Sequence, residues 1–349
     1  MKLIKTAKEL ELVIKKILSA AGADERNASR VAEALISAHL SGMDTHGIWH
    51  LPGYIELIKS GGIDPTAWPE IVSETDNTAL VKGNFTFGHV TAKFAMELAI
   101  NKAKERNISI VSGVQVYHTG RLGEYTEMAA ANGMISLMFS GGFSEEQPAS
   151  MPYGGAQKVL HTNPMSMGFP AGDEPPMISD FATTNISGVK IHFAKAKNEN
   201  LPPNCIVDKE GRPTCNPDDF YNGGGHIPFG EHKGFALMLA NEFLGRIFSD
   251  ADLFVDENKL GPICRHSGFT MIVFRKNLFA PDKSYNDKMD EFIKRVKKVT
   301  PAPGFKEVLI PGDIERNFRE ERMKNGIPID NKIWDETIRL ANSLGINDI

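Results

Sequence analysis

The chain has 349 residues, with 39 lysines and arginines against 44 aspartates and glutamates, and its formal net charge of −5 leaves no basic excess for a nucleic-acid backbone. No stretch approaches the run of about 18 apolar residues that a membrane span needs, and the N-terminal residues lack the apolar core of a secretion signal. The three cysteines, Cys205, Cys215 and Cys264, have no metal-like Cys-x-x-Cys spacing, so reduced thiols in a cytoplasmic protein are expected, although a Cys205–Cys215 pair is possible in principle.

The pattern predicts helices at the start of the chain. Thr6-x-x-Glu9 is a capping box, and the apolar residues that follow it recur at helical spacing. A second helix is expected from Asp24, and a short third one after Tyr54. Residues 63–69 are rich in helix breakers, so a domain boundary is expected just beyond them.

The middle of the chain alternates between strand and helix patterns, which is typical of an α/β fold. Strands are expected over residues 79–81, 108–112, 134–139, 177–180, 188–195 and 269–274. Helices are expected over residues 91–106, 120–132, 233–248 and 285–299, and closing helices over 314–324 and 333–344. The 233–248 helix is apolar on most sides, so a central position is expected for it.

The segment from Ser41 to Tyr54 combines histidines, an aspartate and a threonine with several glycines, which suits a reactive turn better than a core. His46 is expected at the end of a loop, where an imidazole with an ordinary pKa gives and takes a proton near neutral pH. The alternative is a turn histidine that hydrogen-bonds its own backbone.

His118 and Arg121 mark a second candidate position. His118 follows the strand expected over residues 108–112, and Arg121 opens the next expected helix. A carboxylate ligand would find a guanidinium fork and backbone donors in such a strand-to-helix loop. A structural loop histidine is the alternative.

The familiar nucleotide fingerprints are absent. No Gly-x-Gly-x-x-Gly follows a strand and no Gly-x-x-x-x-Gly-Lys-Ser/Thr occurs, so neither a Rossmann nor a P-loop site is supported. Lys233 lies at the start of the most apolar helix, where backbone N–H groups favour an anion, and is a candidate for a phosphate contact; a solvated surface lysine is the alternative. No histidine and carboxylate set has zinc spacing, so no metal is expected.

Six segments in series resemble the malate/L-lactate dehydrogenase family, which also holds sulfolactate and ureidoglycolate dehydrogenases, diketogulonate reductase and piperideine-carboxylate reductase. They span nearly the whole chain and are Asp44–Tyr54 (with Asp-Thr-His-Gly-Ile), Thr162–Pro164, Met177–Thr183, Leu201–Thr214, Lys233–Leu237 and Ile310–Ile314. The resemblance implies interconversion of a 2-hydroxy acid and a 2-oxo acid by hydride transfer with NAD or NADP. It also implies a non-Rossmann α/β fold with a central mixed-sheet domain over residues 76–300, a helical domain made from residues 1–75 with 301–349, and a homodimer.

The same resemblance assigns roles to residues. His46 matches the family's proton donor, with Thr45 in place of a serine, and His118 matches the histidine of a second site loop, as its rival or partner in acid–base chemistry. The residues that match cofactor-binding segments are Ile178, Ser179, Asp180, Phe181 and Ala182, then His232 and Lys233, then Gly312, Asp313 and Ile314.

Two departures concern the substrate. Some members carry an arginine where this chain has His50, and His161 stands where a glycine usually precedes Thr-Asn-Pro. His50, Thr45 and Arg121 are expected to contact the substrate, and an ordinary imidazole at position 50 would attract a carboxylate only below about pH 6.5. The alternatives are a reductase of a cyclic imine acid or sugar-derived oxo acid, and a catalytically silent binding protein on the same fold.

Overall fold

A computed structural model describes residues 3–143, 145, 147–259 and 265–349, so Cys264 lies outside the described residues. Cys205 and Cys215 are free thiols. The helices are α1 Ala7–Ala20, α2 Glu25–Leu40, α3 Leu51–Lys59, α4 Gly88–Arg106, α5 Gly123–Ala131, α6 Gly188–Lys197, α7 Pro217–Tyr221, α8 His232–Glu242, α9 Asp282–Lys297, α10 Asp313–Asn325 and α11 Asn331–Ser343. The strands are β1 Leu3–Lys5, β2 Glu70–Glu74, β3 Thr78–Lys82, β4 Ile108–Val114, β5 Met134–Gly141, β6 Met165–Phe169, β7 Met177–Phe181, β8 Ile206–Val207, β9 Pro213–Thr214, β10 Gly225–His226, β11 Gly268–Arg275 and β12 Ile327–Ile329.

The central element is a seven-stranded mixed sheet in the order β2-β3-β4-β11-β5-β6-β7. Only β3 and β4 pair in parallel, and the other neighbours are antiparallel. Helices α4 and α5 cover one face, where alanines, methionines and Tyr125 form a buried core with the sheet residues. The expected mixed-sheet α/β fold is confirmed.

A second core is built by the two ends of the chain. Helices α1, α2, α3 and α11 pack around Leu10, Ile14, Leu35 and Trp334, and β1 pairs with β12 to tie the ends together. The division into two domains at residue 75 stays a prediction. Strand β2 precedes residue 75 but pairs with β3 in the central sheet. Within the described residues, no helix has both the length and the apolar character to cross a bilayer.

The N-terminal capping box is confirmed. The backbone N–H of Glu9 donates to Thr6 Oγ1 at 3.2 Å, and the Thr6 N–H donates to Glu9 Oε2 at 2.7 Å. Asp24 caps α2 in the same way through the Asn27 N–H. Helix α3 begins at Leu51, earlier than expected, because a proline is tolerated in the first turn of a helix.

The strand expected over residues 188–195 is wrong, because these residues form α6. Val189, Ile191 and Phe193 alternate with polar residues as in a strand, but only Ile191 is buried. The Ser187 side chain accepts a hydrogen bond from the Lys190 N–H at the start of the helix. The Ser187 cap therefore stabilises the start of this largely exposed helix. His192 lies in α6 and not in a strand.

The central position expected for the helix over residues 233–248 is also wrong. Helix α8 ends at Glu242 and continues as a π-helical turn over Phe243–Ile247. Met238 and Glu242 face the sheet, whereas Phe243, Ile247 and Phe248 are 54%, 59% and 60% exposed. The helix therefore has one buried face and one apolar face open to solvent.

Candidate active site

The candidate site is organised around residues that follow α2. Asp44–His46 and Ile48–His50 form two consecutive 3₁₀ turns that meet at Gly47. A Cβ atom on Gly47 would lie 2.1 Å from His39 Nε2. Only glycine fits there, which explains the Thr-His-Gly sequence in terms of close packing.

Asp44 anchors the first of these turns. Arg322 of α10 donates to its carboxylate at 2.6 and 3.1 Å. The Ile48 N–H donates to His39 Nε2 at 3.0 Å, so the neutral ring of His39 carries its hydrogen on Nδ1 and donates it to Asp44 at 2.8 Å. Burial alone would raise the pKa of Asp44, but the bonds from His39 and Arg322 hold that pKa below its usual range. His46 is thus presented by a turn that is tied to both α2 and α10.

Three imidazoles come together at this point. The rings of His46 and His118 are stacked with centroids 5.7 Å apart, and His50 lies 4.3 Å from His118 and 6.2 Å from His46. The Tyr54 hydroxyl lies 2.7 Å from His118 Nδ1, and Thr45 Oγ1 lies 3.2 Å from His46 Nδ1. We call His46, His50 and His118 the imidazole cluster.

All three rings are neutral at physiological pH. Burial lowers the pKa of His46 to about 3, and the nearness of His50 and the charge of Arg121 lower it further, because both oppose a second positive charge there. Burial lowers the pKa of His50 to about 4, and that of His118 well below its usual range. The expectation of an ordinary pKa for His46 is therefore wrong, and so is the expected titration of His50 near pH 6.5, because desolvation penalises an imidazolium.

Arg121 lies close enough to the cluster for its charge to act on His46, and Asp180 pairs with it. The Gly123 N–H donates to Asp180 Oδ2 at 2.8 Å, and Arg121 Nε lies 3.7 Å from the same oxygen. Arg121 Nη2 donates to Glu127 at 2.5 Å, while Nε and Nη1 are buried and have no hydrogen-bond partner among the described residues. Burial raises the pKa of Asp180 to about 6, against the opposing effect of Arg121. Arg121 was expected in the first turn of a helix. It lies instead just before α5.

Two of the expected cofactor segments are brought together. Strand β7 supplies Ile178 to Phe181, and the Ile178 N–H donates to the Pro311 carbonyl at 3.0 Å. Gly312 has φ +97°, and a Cβ atom there would lie 3.3 Å from the Ile178 nitrogen. Asp313 folds back to accept from the Ile310 N–H at 3.0 Å and pairs with Lys297 at 3.2 Å.

The third expected cofactor segment is linked to β7 through its neighbours. His232 and Lys233 form the first turn of α8 and are exposed. The preceding Phe229 donates its N–H to the Thr183 carbonyl at 3.0 Å, and its ring meets that of Phe181 at 5.7 Å. Glu231 is the residue before the helix, and its side chain makes no capping hydrogen bond. The backbone N–H groups of the first turn therefore receive no side-chain acceptor from the N-cap residue.

Two further histidines border the cluster. His89 is 1% exposed, packs 5.9 Å from His118, and has no hydrogen-bond partner for either ring nitrogen among the described residues. No sequence pattern pointed to a functional role for His89, since the helix was expected to begin only at Thr91. His161 contacts the ring of Phe143 at 5.7 Å, and burial lowers its pKa to about 4.

Comparison with known families shows a match over most of the chain. A family model described as malate/L-lactate dehydrogenase matches residues 6–337. The malate/(S)-sulfolactate dehydrogenase of Methanothermus fervidus is 35% identical over 350 residues, which cover 99% of this chain and 98% of that protein.

Solved structures agree with this match. The sulfolactate dehydrogenase of Methanocaldococcus jannaschii superposes with a TM-score of 0.87 at 33% identity, covering 99% of this chain and 98% of the other. The Δ1-piperideine-2-carboxylate reductase of Pseudomonas syringae superposes with a TM-score of 0.85 at 25% identity, covering 97% of this chain and 100% of the other.

Proposed function

This chain belongs to the malate/L-lactate dehydrogenase family and is an oxidoreductase that interconverts a 2-hydroxy acid and its 2-oxo acid with a nicotinamide cofactor, and we propose that His46 moves the proton in that reaction. The observation that supports this role is the stacked His46–His118 pair beside Arg121 and Asp180. When bound, the nicotinamide ring accepts or gives the hydride.

His46 rests as a neutral imidazole, so it is prepared to accept the hydroxyl proton when a 2-hydroxy acid is oxidised. Thr45 Oγ1 lies next to its Nδ1 and orients the ring. His118 is held by the Tyr54 hydroxyl and stacks on His46, which suits a partner that supports the position of the proton-transferring ring. In the reverse direction His46 must first gain a proton, which burial of the ring disfavours.

We propose that Arg121 and Thr45 hold the substrate carboxylate. The charge of Arg121 reaches His46, and its Nε and Nη1 make no hydrogen bond to the described residues, although Nε lies 3.7 Å from Asp180. A buried donor without a partner costs free energy, so an incoming carboxylate oxygen would be stabilised there. Both nitrogens are enclosed, so binding requires a small movement of the segment before α5.

The cofactor, NAD or NADP, is proposed to lie along β7. The positive-φ Gly312 keeps the space next to the Ile178 backbone free of a side chain, as a close approach of a cofactor needs. The Lys233 N–H already donates to the Gly230 carbonyl at 3.2 Å, but the first turn of α8 has no side-chain cap, so its other backbone N–H groups are proposed to face the phosphates. Lys233 adds an exposed positive charge there. These residues fit a dinucleotide without a glycine-rich fingerprint.

Lys233→Ala is expected to raise the cofactor Kd by about tenfold, because an exposed charged contact to phosphate contributes on the order of 1 kcal/mol or slightly more. The chemical step should change little. Fluorescence titration of the reduced cofactor measures Kd, and single-turnover kinetics measures the step. Lys332→Ala, at an exposed lysine on α11, is the matched control. An unchanged Kd for Lys233→Ala would show that Lys233 is a solvated surface residue.

A panel of 2-oxo acids with NADH and with NADPH tests the proposed reaction. We expect turnover with a 2-oxo acid and a clear preference for one of the two cofactors. Turnover of a cyclic imine acid in place of 2-oxo acids would favour the reductase alternative, which the similarity to the Pseudomonas syringae reductase keeps open. Cofactor binding without turnover of any compound would indicate a silent binding protein.

A homodimer is proposed on the basis of one apolar surface. Phe243, Ile247, Phe248 and Leu253 are 54% to 76% exposed and follow one another around the end of α8. An apolar group of this kind on an enzyme surface is typical of a subunit interface. The free thiols of Cys205 and Cys215 support the proposed cytoplasmic location.

A further inference from the structure

The hydrogen-bonding state of His50 is fixed by its backbone contact. His50 Nε2 lies 2.9 Å from the Thr45 carbonyl oxygen, which can only accept, so Nε2 carries the ring hydrogen. Burial lowers the pKa of His50 to about 4, so the ring is neutral at physiological pH. Its second nitrogen, Nδ1, is therefore an acceptor with a free lone pair, and it has no hydrogen-bond partner among the described residues.

The ring of His50 is part of the proposed reaction site. It stacks on Tyr54 with centroids 5.7 Å apart and an interplanar angle of 13°, and it lies 4.3 Å from His118. Its partial exposure leaves the ring within reach of a ligand. Whatever part of a substrate approaches position 50 thus meets an acceptor and no positive charge.

The cations around the imidazole cluster are already paired. Arg30 pairs with Glu124 at 2.6 Å, Arg322 pairs with Asp44 at 2.6 Å, and Arg121 pairs with Glu127. Of the described residues, Arg121 is the cation whose charge is felt at His46, and no cation acts in this way on His50. Among the described residues, the site can therefore neutralise one carboxylate, next to Arg121, and offers no free cation for a second anionic group.

We propose that His50 determines specificity, and that the substrate is a 2-oxo or 2-hydroxy acid with a single carboxylate whose far end offers a neutral hydrogen-bond donor, such as a hydroxyl or amide group, to His50 Nδ1. This inference rests on the proposed function. A second carboxylate or a sulfonate would place an acceptor against an acceptor and leave a desolvated charge without a partner. An alkyl end would leave the His50 acceptor unsatisfied, at a smaller cost.

Three four-carbon 2-oxo acids test the proposal because they differ only at the far end: 4-hydroxy-2-oxobutanoate, 2-oxobutanoate and oxaloacetate. We expect kcat/KM to fall in that order, by about tenfold for the loss of the hydroxyl and by a further factor on the order of 10 for the added carboxylate. A higher kcat/KM for oxaloacetate than for the hydroxylated acid would overturn the proposal.

Two variants separate the acceptor from the shape of the ring. His50→Phe keeps an aromatic ring against Tyr54 but removes Nδ1, so it should abolish the advantage of the hydroxylated acid over 2-oxobutanoate. His50→Arg supplies a charged fork and should reverse the order in favour of oxaloacetate. Equal Tm values for the variants and the wild type establish that the fold is intact. If His50→Phe leaves the three ratios unchanged, His50 does not set specificity and the proposal is wrong.

The proposed function and the role of His50 are refuted by different results. Turnover of 2-oxo acids with a preference for a dianion would refute the role of His50 but keep the proposed function. Absence of turnover with all three acids and both reduced cofactors would contradict the proposed function, and the inference about His50 would fall with it.

Discussion

Replacing His46 with alanine is expected to lower kcat by about 10²–10⁴-fold, the range by which general acid–base groups accelerate proton transfer. Cofactor binding should persist, because the proposed cofactor residues lie on β7, α8 and the start of α10, and not in the turn that carries His46. Steady-state kinetics in both directions measures kcat, and fluorescence titration measures the cofactor Kd.

The control for this variant is His192→Ala, at an exposed histidine of α6 outside the imidazole cluster. It should retain nearly normal activity. A near-normal kcat for His46→Ala together with a large loss of kcat for His118→Ala would assign the proton transfer to His118 instead. Such a result is structurally possible, since the two rings are stacked at 5.7 Å.

The pKa of His46 also shapes the pH profile. A pKa of about 3 means that this base is already deprotonated throughout the neutral range, so oxidation of the hydroxy acid should not lose His46 until the pH is strongly acidic. Reduction has the opposite requirement and should accelerate as the pH falls. The opposite signs follow from the opposite roles of the ring, as a base in oxidation and as an acid in reduction, and burial moves the pH at which the ring titrates far below that of an ordinary imidazole.

Secondary structure was predictable where one face of an element is buried. Helix α1 repeats apolar residues at helical spacing and begins at a capping box, and β4 and β11 are apolar runs of strand length. Helix α6 lies outside that rule because only Ile191 is buried. Its alternation of apolar and polar residues therefore does not reflect which side chains pack against the core. The open face of α8 was hidden for the opposite reason, since apolar residues on all sides give no sign of which side faces solvent.

The sequence allowed the residues of the site to be predicted, but not their contacts or their protonation states. His46 and His118 were identified separately, but their stacking depends on the contact of Tyr54 with His118 across the packing of α3 against the loop after β4. The pairing of Asp44 with Arg322 joins two ends of the chain and carries no local signal. The neutral state of the cluster results from tertiary burial, and for this reason an ordinary histidine pKa was the wrong expectation.

Burial of neutral histidines has a further consequence for stability in acid. His226 on β10 is 1% exposed, packs against the ring of Phe220 at 4.7 Å, and has a pKa lowered by burial to about 3. His46, His50 and His161 also have folded-state pKa values of about 3 to 4. A folded pKa below the unfolded value of about 6.5 contributes stability that is present above pH 6.5 and is lost as the pH falls toward the folded pKa.

We expect the free energy of unfolding to fall steeply between about pH 7 and pH 5. Burial also lowers the pKa values of His89 and His118, so six histidines contribute. Each contributes up to about 2 kcal/mol less stability at pH 5, and the partly exposed ones contribute a smaller change, so the total loss is roughly 6–12 kcal/mol. Urea unfolding at constant ionic strength measures the shift of the midpoint with pH. His226→Phe removes one titrating group from an aromatic environment and should flatten the slope by about one sixth, whereas His192→Gln, at an exposed histidine, should leave it unchanged. A midpoint that stays constant from pH 7 to pH 5 would mean that these rings take up protons without cost, and the neutral imidazole cluster would then have to be abandoned.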